Sequence, residues 1–144
     1  MKPKYNKLLI SGGILSAIAA LLHLGCIFFG ASWYRFFGAG EQMARMAESG
    51  NSQPTIITLV IATILGVWSL YALSGAGVIF KLSLLQTGLC IITAIYLIRG
   101  IVFLPLMSHF ADNSPIFWVI SSGICFCFGV VHLIGLLQIW SKFK

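Results

Sequence analysis

Charged residues are scarce in this chain, and acidic residues are the scarcest. Only 8% of the 144 residues are charged and three are acidic, whereas about a quarter of an average soluble domain is charged. A soluble domain is therefore excluded. The chain also lacks a basic domain that would bind nucleic acid, so we expect no nucleic-acid partner.

The motifs of several enzyme and transporter classes are also missing. The four cysteines form no Cys-x-x-Cys pair, and there is no nucleophile elbow, phosphate-binding loop or His-Glu-x-x-His. No acid lies in an apolar run, which excludes a carboxylate dyad within the membrane. A small four-helix drug exporter would need a glutamate in its first helix, and the first apolar run here has none, which argues against that class. The cysteines lie inside apolar runs, where a free thiol commonly packs as a small hydrophobe.

Long apolar runs are what the chain has instead. They are Leu8–Gly30, Thr55–Ser74, Leu82–Met107 and Ile116–Trp140. About 20 residues are needed for a helix to cross a ~30 Å hydrocarbon core, and lipid requires every backbone group to be bonded internally. We predict an all-α membrane protein, a single up-down four-helix transmembrane bundle spanning residues 1–144. The first run exceeds the roughly 7–15 apolar residues of a signal peptide, so we expect an uncleaved helix.

The distribution of charge predicts the topology. The lysines lie at the two termini or between the second and third runs, at Lys2, Lys4, Lys7, Lys81, Lys142 and Lys144. The acids lie in the other two connections, at Glu41, Glu48 and Asp112. By the positive-inside rule both termini are cytoplasmic. We expect a multi-pass protein of the plasma membrane, most simply a bacterial inner membrane, whose basic side contacts anionic lipid.

The first outer loop is the largest polar segment. It opens with an aromatic cluster, Trp33–Phe37, typical of a membrane interface. Residues Gly40–Ser49 then predict a short amphipathic helix, with Gly50 just beyond its end. Its exposed face would carry a Glu41–Arg45 pair and an Arg45–Glu48 pair.

Polar residues at membrane depth are functional candidates because their burial in lipid is costly. At ~1.5 Å per helical residue, several of them fall in the outer leaflet beneath this loop. We predict an outward-facing polar pocket lined by His23, Trp33, Tyr34, Glu41, Thr58, Arg99 and Ser122. The alternatives are that Arg99 extends to the headgroups rather than to Glu41 or Asp112, that His23 only packs, and that the aromatic residues form an interfacial belt.

No metal or cofactor is expected. A metal site from His23, His109 and Asp112 has no supporting ligand spacing. From the rise of a helix, His132 lies about 10 Å deeper in the membrane than His23. A haem held by both histidines would need them at one level, so this difference argues against it. A structural role is the simpler interpretation of His132.

Residue spacing predicts one distinct face on each membrane helix. On the first helix a stripe of small and polar residues predicts the inward face, because small residues let membrane helices approach closely; it consists of Gly12, Gly13, Ser16, Ala19, Ala20, His23, Cys26 and Gly30. The corresponding stripe of the second helix is Thr55, Leu59, Ala62, Gly66 and Ser69. One face of the third helix carries Gly88, Ile92, Ile95 and Arg99, and one face of the fourth carries Ser122, Cys125, Gly129 and His132.

The stretch Trp33-Tyr34-Arg35-Phe36-Phe37-Gly38-Ala39-Gly40-Glu41 after helix one, with Arg99 late in helix three, resembles the small four-helix membrane proteins of the DoxX-like superfamily. The resemblance implies an inner-membrane bundle and, for some members, association with quinone or thiol redox systems. This chain lacks a redox cysteine pair, which argues against a thiol role.

Three functions are compatible with these features. The leading hypothesis is a non-enzymatic protein that binds a hydrophobic or lipid-like ligand, or a membrane protein partner, through the outer-leaflet pocket. The second is an enzyme or redox accessory acting on a quinone or lipid, with His23 as acid–base and Arg99 as carbonyl or anion binder. The third is a structural subunit of a larger complex, including an assembly of identical copies.

Overall fold

The computed structural model describes residues 5–106 and 114–143, and these residues form helices and connections without a strand. The helices are α1 (Lys7–Phe29), α2 (Ala31–Phe36), α3 (Glu41–Glu48), α4 (Gln53–Ala76), α5 (Leu85–Leu106) and α6 (Pro115–Ile139), followed by a 3-10 turn at Trp140–Phe143. Lys2, Lys4, His109, Asp112 and Lys144 lie outside the described residues.

Among the described residues, α1, α4, α5 and α6 are long and apolar enough to cross a membrane. The predicted multi-pass, all-helical architecture is confirmed to that extent. The largest shift is at α5, which begins at Leu85 instead of Leu82. The hydroxyl of Ser74 donates to the carbonyl of Phe80 at 2.9 Å and accepts from the Leu82 N–H at 3.0 Å. These bonds hold the preceding residues in a loop.

The membrane helices pack as two pairs. The most extensive contacts join α1 to α4 and α5 to α6, and the pairs meet through α1–α6 and α4–α5 contacts. Close approach rests on glycine: a Cβ on Gly13 would lie 3.2 Å from the Ser69 carbonyl oxygen, and one on Gly100 2.7 Å from backbone atoms of Phe126. The Ser69 hydroxyl donates to the Gly13 carbonyl at 2.7 Å. Small residues at the contacts therefore bring these backbones together.

The buried residues form three layers along the bundle. Leu9, Ala76, Leu85, Leu89, Leu136 and Ile139 fill the end near the described N-terminus. The middle is filled by Ala20, Leu65, Ile92 and Tyr96. Cys26, Tyr34 and Ala44 pack beneath α2 and α3 at the opposite end. We call the end near the described N-terminus the Asn6 end and the opposite end the α2–α3 end.

Two of the predicted helix faces are only partly buried. On α4, Ala62 and Ser69 are buried, but Leu59 is 50% exposed. On α5, Ile92 is buried whereas Ile95 is 42% exposed. Aliphatic residues cover both the lipid-facing and the packed sides of these helices, so hydropathy gives no contrast between the sides.

Asn6 ties three helices together at the Asn6 end. Its Oδ1 accepts from the Leu9 N–H at 2.9 Å and so caps α1. Its Nδ2 donates to the Gly135 carbonyl at 3.1 Å and to Gln138 Oε1 at 3.0 Å, both from α6. Its backbone N–H donates to the Ala76 carbonyl of α4 at 3.0 Å.

Candidate functional site

The α2–α3 segment covers one end of the bundle. Gly30, at φ 71°, ends α1 and reverses the chain into α2, a backbone conformation that glycine adopts at little cost. Tyr34 on α2 is only 2% exposed, and its hydroxyl shares a 3.1 Å hydrogen bond with the Thr58 hydroxyl of α4. This buried bond fastens the segment to the second membrane helix.

A cluster of charged side chains holds α2 against α3 on the exposed side. Arg35 Nε and Nη2 each lie 2.9 Å from a Glu41 carboxylate oxygen, and its Nη1 lies 2.6 Å from Glu48. Arg45 pairs with Glu41 at 3.2 Å, as predicted. The predicted Arg45–Glu48 pair is replaced by Arg35–Glu48, because α2 brings a second arginine within reach.

This cluster changes the ionisation of its carboxylates. Hydrogen bonds from Arg35 and then Arg45 lower the pKa of Glu41 to about 2. The hydrogen bond from Arg35 likewise lowers the pKa of Glu48. Glu41 therefore stays ionised well into the acid range. The side chains are solvent-exposed, so their main effect is to orient α3, and the stabilisation is modest.

Arg99 forms a second polar cluster, between α5 and α6. Its Nη2 donates to the Ser121 hydroxyl at 3.0 Å and its Nη1 to the Ser122 hydroxyl at 3.4 Å. The guanidinium carbon lies 5.2 Å from the ring centroid of Trp118, within cation–π range. Ser122 is fully buried and Arg99 is half-buried. We call Arg99, Trp118, Ser121 and Ser122 the Arg99 cluster.

The remaining predicted site residues have mainly local contacts. His23 Nδ1 is 2.7 Å from the carbonyl oxygen of Ala19, one turn earlier on α1. Trp33 stacks on Phe29 with ring centroids 4.3 Å apart. Glu41 is committed to its arginine partners at the surface. Of the seven predicted residues, hydrogen bonds therefore join four, as Tyr34–Thr58 and Arg99–Ser122.

A shallow, open depression lies on the exposed side of α3, lined by Glu41, Gln42, Arg45, Met46 and Ser49. It is a surface feature of the α2–α3 segment and lies away from the Tyr34–Thr58 bond, which is buried. Two members of the Arg99 cluster, Trp118 and Ser121, are not among the seven predicted site residues. Ser121 directly precedes Ser122 in the sequence, and Trp118 lies one helical turn before Ser122 on the same face of α6.

The described residues contain no group of three or more His, Cys, Asp or Glu side chains placed to hold a metal ion. The hypothetical partners of His23 in such a site, His109 and Asp112, lie outside the described residues. The cysteines are free: Cys26 is buried, Cys90 and Cys125 are half-buried and Cys127 is exposed.

These features define the class of the molecule as an all-helical, multi-pass membrane protein with a structured segment over one end. Comparison with known proteins gives no match, whether to family models, curated proteins or solved structures. Membership of the DoxX-like superfamily therefore stays a prediction based on residues 33–41 and Arg99.

Proposed function

We propose that the protein binds an amphiphilic, lipid-like ligand at the α2–α3 end, with the polar head of the ligand at the Arg99 cluster. The observation that supports this most directly is a half-buried cation held by two hydroxyls and an aromatic ring within the membrane-spanning part of α5. We further propose that both termini are cytoplasmic and that the α2–α3 segment is on the outer side of a bacterial inner membrane.

The energetic argument starts from the cost of the charge. A cation on a membrane helix is costly away from water, and an anionic headgroup adds a favourable interaction to those that the guanidinium already makes. The planar guanidinium suits phosphate and carboxylate groups because it offers parallel N–H donors. Ser121 and Ser122 accept hydrogen bonds from it and fix its direction, and Trp118 supports its face. The cluster is thus preorganised for an anion.

The surface around the cluster suits an acyl chain. Ile98 and Ile120 directly precede Arg99 and Ser121 in the sequence, and Val102 follows Arg99 by three residues; each is between 41% and 56% exposed. Such side chains face lipid in a membrane helix. A ligand with an anionic head and an apolar tail therefore matches the pattern of a cation next to exposed aliphatic side chains.

The α2–α3 segment has a separate part in this proposal. Tyr34 and Thr58 fasten it to the bundle, the Arg35–Glu41 pair holds its two helices together, and Trp33 packs on the last turns of α1. We assign these residues to shielding the binding region from the aqueous side, and His23 to packing within α1.

A thermal-shift experiment tests the head-group site. The purified protein in detergent is titrated with phosphatidylglycerol, with phosphatidylcholine and with inorganic phosphate. A ligand at 100 times its Kd stabilises by about 2.7 kcal/mol, so the wild type should melt at a higher temperature with phosphatidylglycerol. Arg99→Gln should abolish that shift. Arg45→Gln, which removes an exposed arginine of α3, is the matched control and should retain it.

Two results would contradict the proposal. One is an equal response of the wild type to phosphatidylglycerol and phosphatidylcholine. The other is an undiminished response in Arg99→Gln. A response to inorganic phosphate alone would assign the site to a free anion instead of a lipid. A catalytic role on a quinone or lipid would require His23 as acid–base, and its 2.7 Å contact with the Ala19 carbonyl favours packing instead.

A further inference from the structure

His132 is a histidine buried among the membrane helices. Its side chain is 0% exposed, and its Nδ1 lies 2.8 Å from the carbonyl oxygen of Phe128, one turn earlier on α6. Its Nε2 is buried and has no hydrogen-bond partner among the residues that the structure describes. Because buried polar atoms are nearly always hydrogen-bonded, an unpartnered ring nitrogen at this depth requires an explanation.

The surroundings of His132 fit a neutral ring. A Cβ added to Gly12 of α1 would lie 2.8 Å from the His132 Cε1, so α1 approaches the ring as closely as a glycine allows. The Tyr96 ring of α5 lies on another side, with centroids 5.2 Å apart. The Tyr96 hydroxyl is engaged elsewhere, in a 2.9 Å hydrogen bond with the Ser16 hydroxyl of α1.

Few ionisable groups face this ring. Tyr96 is the titratable residue from α5 that packs on it, α1 presents Gly12, and α6 itself presents the Phe128 carbonyl. Lys7 of α1 is exposed. The described hydrogen bonds of Arg99 on α5 are to Ser121 and Ser122, at least ten residues from His132 along α6.

We propose that His132 is a proton-binding site that controls the packing of α1 against α6. With Nδ1 directed at the Phe128 carbonyl, neutral His132 carries its lone pair on Nε2. Protonation there creates a new N–H donor and a positive charge. In the packing described above, the described residues provide no acceptor for this N–H and no anion for this charge. If α1 moves away from α6, water enters and solvates the protonated ring. Acid therefore shifts the population toward this open arrangement.

In the arrangement that admits water the ring is solvated, and a solvated histidine changes charge within pH 5–8, so the effect should fall in that range. Hydrogen–deuterium exchange of the full-length protein in lipid nanodiscs measures it directly, between pH 8 and pH 5 after correction for intrinsic exchange. Amides of residues 9–16 in α1 should lose protection in acid. We expect about a fivefold loss or more, the lower end of typical coupling between linked sites. Residues 53–62 of α4, at the α2–α3 end where Thr58 bonds Tyr34, serve as an internal reference.

The chain offers a matched control. His23 and His132 both bond their Nδ1 to the carbonyl four residues earlier, at 2.7 and 2.8 Å, but only His132 is fully buried. In His23→Gln the acid-dependent loss should persist. In His132→Phe, which keeps a ring against Gly12, and in the polar variant His132→Gln, protection should not depend on pH. Unchanged protection of the wild type down to pH 5, or loss of the effect in His23→Gln, would overturn the proposal.

Discussion

Replacing Asn6 should destabilise the bundle more than its position before the first helix suggests. In Asn6→Ala the N-cap of α1 is lost, together with two hydrogen bonds from Nδ2 to α6. The acceptors that remain, the Gly135 carbonyl and Gln138 Oε1, belong to a site where Asn6 itself is only 8% exposed. The variant therefore removes a helix cap and an interhelical contact at once.

The magnitude follows from these separate contributions. Loss of an N-cap costs about 1 kcal/mol, with a range of roughly 0.5–2. Interhelical hydrogen bonds in membrane proteins average about 0.6 kcal/mol and reach about 1.7, and two of them are lost. The total is about 2–4 kcal/mol, or roughly 5–15 °C in melting temperature for a chain of this size.

Asn6→Asp separates the cap from the bonds to α6. Aspartate caps a helix as well as asparagine does, but it cannot donate to the Gly135 carbonyl and would place a carboxylate oxygen against it; the Gln138 amide can turn and donate to the carboxylate. We therefore expect Asn6→Asp to keep the cap and still to be less stable than the wild type.

The measurement is the thermal melting temperature of purified variants in one detergent at pH 7. Asn51→Ala is the control, because Asn51 is also an asparagine whose Oδ1 accepts from a backbone N–H, that of Gln53 at 2.8 Å, but at an exposed site. It should shift the melting temperature little. Wild-type stability in Asn6→Asp, or equal shifts in Asn6→Ala and Asn51→Ala, would refute the reasoning.

Two further predictions concern opposite ends of the bundle. Gly12→Ala should lower the free energy of unfolding by about 1–3 kcal/mol, because the added Cβ overpacks against His132. In the control Gly66→Ala the Cβ meets nothing within 4 Å, so the melting temperature should stay unchanged or rise. Equal shifts in the two variants would contradict the packing. Since the arginines lower the pKa of Glu41 to about 2, its stabilisation of the α2–α3 contact is fully present above about pH 4.5 and is lost as the pH falls through 2. Hydrogen exchange in α3 should therefore accelerate as the pH falls from about 4.5 to 2. It should already be fast at higher pH in Glu41→Gln. Loss of protection well above pH 5 in the wild type would argue against the carboxylate as the cause.

The extent of the membrane helices could be predicted because the thickness of lipid imposes it. The apolar run 116–140 became α6 at Pro115–Ile139, with Ser114 accepting from the Phe117 N–H as an N-cap. The first apolar run was predicted to end at Gly30, and α1 ends at Phe29, but the helix α2 directly beyond it was not predicted. The positive φ at Gly30 separates the two helices, and hydropathy does not report a backbone conformation.

Side-chain partners were less predictable, because they depend on contacts between distant positions. The face predicted on α6 is buried at Ser122, Gly129 and His132, where polar or small residues contrast with aliphatic ones. The face predicted on α5 included Ile95, which is exposed, and did not include Tyr96, which is buried. The hydroxyl of Tyr96 is buried with a bond to Ser16, 80 positions earlier. Spacing within one helix does not carry that information.

The pairing of helices has a consequence for how the protein is made. The main partner of α1 is α4, and the main partner of α5 is α6, so each pair is a helical hairpin that is complete as soon as its second member has been synthesised. The first hairpin can therefore assemble in the membrane while the ribosome is still translating the second. The side-chain bonds of Asn6 to α6 join residues 129 and 132 positions apart. They form only when the second hairpin arrives, which makes Asn6 a marker for the last step of assembly.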